Sequence, residues 1–185
     1  HNVDAHLFAS GDMGRIAVTD GMSEEAVKLL EDKGHEVVLR HYDPDEISTG
    51  SLAGFDAVII RSATKLPAEL IAASTSDEGG LRFIGRAGVG VDNIDINEAS
   101  KHGIVVCNTP AASTRSVIEI TIGHLIASTR NIATADRTLR AGLWAKKDLR
   151  GTEIGGKNLG LIGFGRIAQG VAQAARSFGM DVHAY

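Results

Sequence analysis

The 185-residue sequence predicts an α/β protein made of two consecutive parallel-sheet domains. From Arg15 onward, short apolar segments alternate with helical segments, which is typical of a parallel sheet covered by helices on both faces. A longer helical stretch interrupts this alternation after Asn108–Pro110. A glycine-rich bend at residues 163–165 then follows a new apolar segment, so a second sheet begins there. We therefore predict domains at residues 13–107 and 108–185.

The first predicted domain contains five strands with helices between them. The strands are predicted at Ile16–Thr19, Glu36–His41, Asp56–Arg61, Leu81–Arg86 and Ile104–Cys107. Ser23 is the predicted N-cap of the first helix, which ends at Gly34, and Pro67 is predicted to open the next, which runs through Ala73. Residues 74–80 are predicted to form a polar loop, and Ile94–His102 a further helix.

The second predicted domain begins with a long helix, Ser113–Arg130. Gly123 and Ala127 lie four residues apart on one face of it, which predicts close approach of another helix there. The elements that follow are a helix at Thr134–Ala141, a strand at Leu159–Ile162, a helix at Arg166–Gly179 and a strand at Met180–Tyr185.

The bend at Gly163 and Gly165 is the strongest functional signal. Together with Ala168 it matches the G-x-G-x-x-G/A pattern that joins a strand to a helix in Rossmann-type domains. Glycine lets the backbone approach a pyrophosphate, and the free amides and dipole of the helix N-terminus then bind the anion. The predicted cofactor-binding residues are Gly163, Gly165, Arg166 and Ile167. The alternative is a tight turn without a ligand.

The choice between NAD and NADP stays open at this point. The pattern requires an acidic residue about twenty positions further on, at the end of the next strand, to bind the ribose. Asp181 lies at the beginning of that predicted strand, so we do not assign it this role.

Composition excludes several classes of protein. The 23 acidic residues outnumber the 19 Lys and Arg, and no basic run occurs, which disfavours nucleic-acid binding. The single cysteine, Cys107, excludes a disulfide framework and indicates a reducing compartment, so we expect a cytoplasmic protein. The histidines show no metal-ligand spacing, and no apolar run reaches the ~20 residues of a membrane span. We interpret residues 1–12, which lack periodicity, as a vector-derived leader or tag; a native extension is the alternative.

Five separated motifs carry a family resemblance. They are Arg61–Lys65, Gly85–Asp95, Asn108–Pro110, Gly151–Lys157 and Gly163–Ala168. In this order and spacing they resemble the D-isomer-specific 2-hydroxyacid dehydrogenases, over residues 15–185. The resemblance implies a flavodoxin-like substrate domain followed by the first part of an NAD-binding domain. Within the family the chain is most similar to the members that oxidise D-3-phosphoglycerate with NAD, the first step of serine biosynthesis.

The resemblance also implies substrate-binding residues at the ends of predicted strands. Val89 and Gly90 would bind the substrate carboxylate through backbone amides, whereas a plain glycine turn is the alternative. Arg61 and Ser62 would bind the phosphate; a surface arginine paired with Asp56 or Glu69 is the alternative. Asn108 would lie near the substrate and cofactor. The alternative is that its side chain only forms hydrogen bonds to backbone groups at the end of a strand.

The family's catalytic arginine, acid and histidine lie beyond its cofactor motif, so we expect them beyond Tyr185 and assign no catalytic residue. His102, His124 and His183 occupy other positions. We therefore expect an inactive chain on its own, belonging to a homodimeric dehydrogenase that pairs through its cofactor domain. The alternatives are a non-catalytic ligand-binding or partner-docking fragment, and a split enzyme completed by a partner.

Overall fold

A computed structural model describes residues 14–76 and 79–185. The predicted leader, residues 1–12, lies outside the described residues. The chain divides into two compact units, which meet in sequence at Pro110 and Ala111. We call them unit 1 and unit 2. Their assignment to a substrate domain (13–107) and a cofactor domain (108–185) stays a prediction.

Unit 1 is built on a five-stranded, fully parallel sheet. Its strands are β1 (Arg15–Val18), β2 (Glu36–Leu39), β3 (Ala57–Ile60), β6 (Phe83–Arg86) and β7 (Val105–Asn108), in the order β2-β1-β3-β6-β7. Two short strands, β4 (Thr75–Ser76) and β5 (Gly79–Gly80), form a separate antiparallel pair. If the five strands of this sheet alone are numbered 1 to 5 along the chain, their order is the flavodoxin-like 2-1-3-4-5. The predicted fold class is confirmed.

Four helices connect the strands of this sheet: α1 (Glu24–Glu31), α2 (Pro44–Ser48), α3 (Ala68–Ala73) and α4 (Ile96–Lys101). The strand order reverses at β1, and right-handed crossovers therefore place α1 on one face and α2, α3 and α4 on the other. The larger core lies on the face of the three helices. Its fully buried members include Ile47, Leu52, Ile60, Leu66, Ile71 and Ile84. A smaller cluster around Ile16, Val18 and Ala57 lies on the face of α1.

Three local predictions for unit 1 need correction. The short helix α2 was not predicted, although Pro44 stands at its first turn and the Glu46 carboxylate accepts a hydrogen bond from the Asp43 amide. The predicted loop 74–80 contains the β4–β5 pair. Pro67 is the N-cap of α3, one residue before the predicted position.

Unit 2 contains three helices and a two-stranded parallel sheet. The elements are α5 (Thr114–Thr129), α6 (Ile132–Arg140), β8 (Asn158–Leu161), α7 (Arg166–Ser177) and β9 (Asp181–Ala184). Helices α5 and α7 pack together at Gly170, where an added Cβ would lie 2.1 Å from Cδ1 of Ile118. Close helix approach was predicted at Gly123 instead, but no atom of the described chain lies within 4 Å of a Cβ built there.

Candidate functional site

The carboxyl ends of β1, β3, β6 and β7 meet at one edge of the unit 1 sheet. Ligands of open α/β sheets bind at this edge, most often where the strand order reverses. The reversal lies between β1 and β3, so the loops that begin at Thr19 and Arg61 flank it.

The protein's own carboxylate occupies the point of reversal. Oδ2 of Asp20 accepts hydrogen bonds from the amides of Arg61 (2.6 Å) and Thr64 (3.0 Å). Oδ1 of Asp20 accepts from the Thr64 hydroxyl at 2.6 Å, and the hydroxyls of Thr64 and Thr19 are 2.7 Å apart. Asp20 thus binds residues 61–64 to the end of β1, and sequence reasoning did not identify it.

These hydrogen bonds also explain the acidity of Asp20. Burial raises the pKa of the Asp20 carboxyl, but hydrogen bonds from the Thr64 hydroxyl and from the amides of Thr64 and Arg61 together outweigh burial. The net result is a pKa below the ordinary value for aspartate, so this carboxylate is ionised at neutral pH.

Asn93 holds the same loop from the other side. Its side-chain amide nitrogen donates to the carbonyl oxygens of Arg61 (2.8 Å) and Thr64 (2.7 Å). Because both partners are acceptors, the orientation of this amide is fixed. The Leu66 amide in turn donates to the Asn93 carbonyl at 2.8 Å.

The structure leaves the side chains of Arg61 and Ser62 exposed at the end of β3. Asp56, one alternative partner of Arg61, instead binds the guanidinium of Arg82 and the amide of Arg15, both at 2.8 Å. Within residues 14–76 and 79–185, no carboxylate forms an ion pair with Arg61. Its guanidinium is therefore available to an anion.

Two amides of the loop after β6 are hydrogen-bonded within the chain. The amides of Ala87 and Gly88 donate to the carbonyl oxygens of Ile60 and Arg86, each at 2.8 Å. For the amides of Val89 and Gly90, the described part of the chain supplies no acceptor. These amides can accordingly receive a carboxylate.

Asn108 supports this loop from the end of β7. Its side-chain nitrogen donates to the Val89 carbonyl at 2.6 Å, and the Thr109 amide donates to the Gly88 carbonyl at 2.9 Å. The contact matches the backbone-satisfying alternative for Asn108. A direct role at the substrate stays a prediction.

Arg86 is a second arginine at this edge that sequence reasoning did not identify. It ends β6, and its side chain runs so close to Gly88 that an added Cβ there would lie 1.4 Å from its Nη1. Its Nε is buried and has no hydrogen-bond partner among the residues described. Its backbone pairs with Ile60, the residue before Arg61, so adjacent strands end in two arginines.

In unit 2, the glycine bend is open. Gly163 has a φ of 86°, a conformation that favours glycine, and its amide donates to the Tyr185 carbonyl at 2.8 Å. Gly165 is the N-cap of α7 with an ordinary φ of −75°, and apart from its two chain neighbours no described residue has an atom within 4 Å of a Cβ built there. The Arg166 side chain is exposed at the first position of α7.

Asp181, His183 and His124 are the acidic and histidine residues of unit 2 that the sequence analysis considered. Asp181 begins β9 and is paired with Asn158, at the end of the strands opposite Gly163. Nε2 of His183 lies 3.1 Å from Oδ1 of Asn158, and His124 is exposed on α5. In unit 1, Nε2 of His102 lies 3.2 Å from Oε1 of Glu98.

Two kinds of feature are absent from the described ranges. No cluster of three or more His, Cys, Asp or Glu side chains is arranged to hold a metal ion. None of the helices in those ranges is both long and apolar enough to span a bilayer.

Residues 16–178 match the sequence profile of the catalytic domain of D-isomer-specific 2-hydroxyacid dehydrogenases. The chain belongs to this family. A hydroxypyruvate reductase of Thermotoga maritima is 45% identical over 172 residues, covering 92% of this chain and 55% of the relative. A D-3-phosphoglycerate dehydrogenase of Methanocaldococcus jannaschii is 42% identical over 173 residues, covering 94% of this chain and 32% of the relative. The chain thus spans between a third and about half of the length of these relatives.

Solved structures agree with the family. A crystallised protein of Thermus thermophilus superposes with a TM-score of 0.81 at 31% identity, covering 92% of this chain and 55% of that one. The NAD⁺-bound 3-phosphoglycerate dehydrogenase of Entamoeba histolytica superposes with a TM-score of 0.71 at 32% identity, covering 94% of this chain and 54% of that one.

Proposed function

We propose that this chain supplies the substrate-binding unit and the start of the NAD-binding unit of a D-2-hydroxyacid dehydrogenase. The family profile and the relatives named for this chemistry support the proposal. Unit 1 would bind the hydroxy acid at residues 61–62 and 89–90. Unit 2 would bind the dinucleotide at residues 163–167. The cofactor, when bound, accepts hydride from the hydroxyl-bearing carbon.

The observation that carries the proposal is the unobstructed Gly165. Its backbone conformation is one that any residue adopts, and the space around its α-carbon is open. Folding therefore does not require glycine there. A ligand that approaches the backbone closely does require it, and the pyrophosphate of a dinucleotide at a helix N-terminus is such a ligand.

Within the family, we propose a phosphorylated substrate, D-3-phosphoglycerate. Arg61 supports this choice, because its side chain is exposed and has no ion-pair partner among the described residues, and a guanidinium forms two parallel hydrogen bonds to a phosphate. The hydroxypyruvate reductase relative favours a second candidate, an unphosphorylated hydroxy acid such as D-glycerate. Arg61→Ala distinguishes the two, because it should weaken phosphoglycerate binding and leave glycerate binding unchanged.

The substrate carboxylate would lie on the amides of Val89 and Gly90, with Asn108 holding that loop through the Val89 carbonyl. His102 and His183 already contact Glu98 and Asn158, so we assign neither as the proton acceptor. NAD is the proposed cofactor, with NADP as the alternative; one structural relative is a reductase complexed with NADPH. We also propose a homodimer formed through unit 2.

The test of the cofactor site is NAD binding by the 185-residue chain, measured calorimetrically. Gly165→Ala should abolish or greatly weaken binding while the melting temperature stays unchanged. Gly160→Ala is the matched control, because Gly160 lies in β8 of the same unit, also with open space around its α-carbon. Failure of the wild-type chain to bind NAD or NADP, or equal effects of the two substitutions, would contradict the proposal.

A further inference from the structure

We infer that Asp20 is a positioning residue for Arg61: its carboxylate fixes the loop of residues 61–64, and so sets the preference for a phosphorylated over an unphosphorylated hydroxy acid. This inference rests on the proposed function. It concerns a side chain that follows β1, whereas the substrate-binding residues predicted from the sequence follow β3 and β6 or end β7.

Residues 61–64 are held by hydrogen bonds to two side chains. The amides of Arg61 and Thr64 donate to Asp20, while their carbonyl oxygens accept from Asn93. Two side chains thus occupy all four of these backbone groups. Asp20 lies 41 residues from Arg61, and Asn93 lies 32 residues from it, so the loop conformation depends on tertiary contacts.

This arrangement fixes the backbone of Arg61 and leaves its side chain available to a ligand. Its backbone is bound on both sides, whereas its guanidinium has no ion-pair partner in the part of the chain that the structure describes. A long exposed side chain loses rotamer freedom when it binds an anion, and a fixed backbone limits that loss to the side chain itself. Without Asp20, the backbone of Arg61 would have to be ordered as well when the ligand binds.

The negative charge of Asp20 does not itself attract a phosphate. A carboxylate is no ligand for a phosphate, so Asp20 can favour phosphate binding only through the donors that it orders. Asparagine can replace it in that role: its oxygen would accept from the two amides. Its NH₂ group would donate to the Thr64 hydroxyl, which would then donate to Thr19 instead of accepting. Alanine can make none of these bonds.

The experiment measures binding of 3-phosphoglycerate and D-glycerate to the 185-residue chain and to four variants: Asp20→Ala, Asp20→Asn, Arg61→Ala and the double variant Asp20→Ala/Arg61→Ala. Asp20→Ala should weaken phosphoglycerate binding about ten-fold and leave glycerate binding unchanged. Asp20→Asn should restore most of the loss. In the Arg61→Ala background, Asp20→Ala should have no further effect, because its influence acts through Arg61.

A second readout follows the loop without ligand. In Asp20→Ala the amides of Arg61 and Thr64 should exchange with solvent faster, while Val58, buried within β3, keeps its protection. If Asp20→Ala does not fold, Asn93→Ala tests the same loop through its carbonyl oxygens, and the same selective loss of phosphoglycerate binding is expected.

The outcomes separate the two proposals. If the wild-type chain binds neither acid, the proposed function fails, and this inference fails with it. If Arg61→Ala weakens phosphoglycerate binding but Asp20→Ala does not, only the inference is overturned. An equal loss for both acids, or a loss that persists in full without Arg61, also overturns it and assigns Asp20 a general structural role.

Discussion

Asp20 is a partly buried carboxylate whose ionised form the fold stabilises. Its pKa lies below the ordinary value despite burial, because Thr64 and the amide of Arg61 donate hydrogen bonds to it. A group whose pKa is lower in the folded state contributes stability above its unfolded pKa, and that contribution is lost as the pH falls through the folded pKa. The contribution of Asp20 is therefore complete at neutral pH and is lost in acid.

This predicts a pH-dependent difference between the wild-type chain and Asp20→Asn. The difference in their free energies of unfolding should be constant near neutral pH. Below about pH 4, where unfolded aspartates become protonated, the wild-type chain should progressively lose stability relative to Asp20→Asn. Urea titrations at a series of pH values measure it. A difference that stays constant down to about pH 2 would contradict the role assigned to the charged form.

At the residue scale, the sequence allowed prediction of side chains that follow strands, because parallel strands bring their carboxyl ends to one edge. Together with the family resemblance, this predicted roles for Arg61, Val89 and Asn108. Asp20 also follows a strand, but its partners lie 41 and 44 residues away, and no local pattern links them. Arg86 was not predicted because the path of its side chain over Gly88 is visible only in the folded loop.

At the scale of elements, the α5–α7 contact is sensitive to a single methyl group. Gly170 lies inside α7 beneath Ile118, whereas Gly123 lies inside α5 with open space around it. Replacing glycine by alanine in a helix interior stabilises the helix by about 1 kcal/mol. At Gly170 this gain is opposed by overpacking, which costs about 1–3 kcal/mol.

We therefore expect Gly123→Ala to stabilise unit 2 by about 1 kcal/mol, and Gly170→Ala to leave it unchanged or destabilise it by up to about 2 kcal/mol. Urea-dependent hydrogen exchange of the α7 amides measures both effects. Adding Ile118→Val to Gly170→Ala removes the methyl group that clashes, and should recover stability relative to Gly170→Ala. Equal gains from both alanine substitutions would show that Ile118 does not restrict this contact.

The elements themselves were predictable to different degrees. The five sheet strands and the long helix were predicted because their apolar residues recur with the period of a strand or helix. Helix α2 has only five residues, too few to show periodicity, although Pro44 and the Asp43–Glu46 spacing signal its start. The β4–β5 pair has two residues in each strand and no apolar pattern.

At the scale of the whole chain, strand order is the feature that local sequence does not encode. Alternating strands and helices predict a parallel sheet, but the reversal at β1 depends on which crossovers bury the most apolar surface. The flavodoxin-like order was expected only from family resemblance. The reversal matters for function because Asp20 and the loop of Arg61 meet there.

The surfaces of the two units also differ at this scale. In unit 2 the side chains of Leu139, Leu143 and Trp144 are 60%, 61% and 78% exposed, and they line one groove of about 400 Å³. Clustered exposed apolar residues are typical of protein–protein contact surfaces. In unit 1 the similarly exposed Leu29 (59%) lies on α1.

We therefore expect the chain to self-associate through the groove of Leu139, Leu143 and Trp144. In a symmetric dimer each substitution occurs twice, and burying one leucine side chain contributes about 1.5–3 kcal/mol. Leu139→Glu should thus weaken the dimer about 100-fold or more, as measured by sedimentation equilibrium over a range of concentrations. Leu29→Glu, an equally exposed leucine on a helix of unit 1, should have no effect. A wild-type chain that stays monomeric at high concentration, or an equal effect of the two substitutions, would show that this groove is not the contact surface.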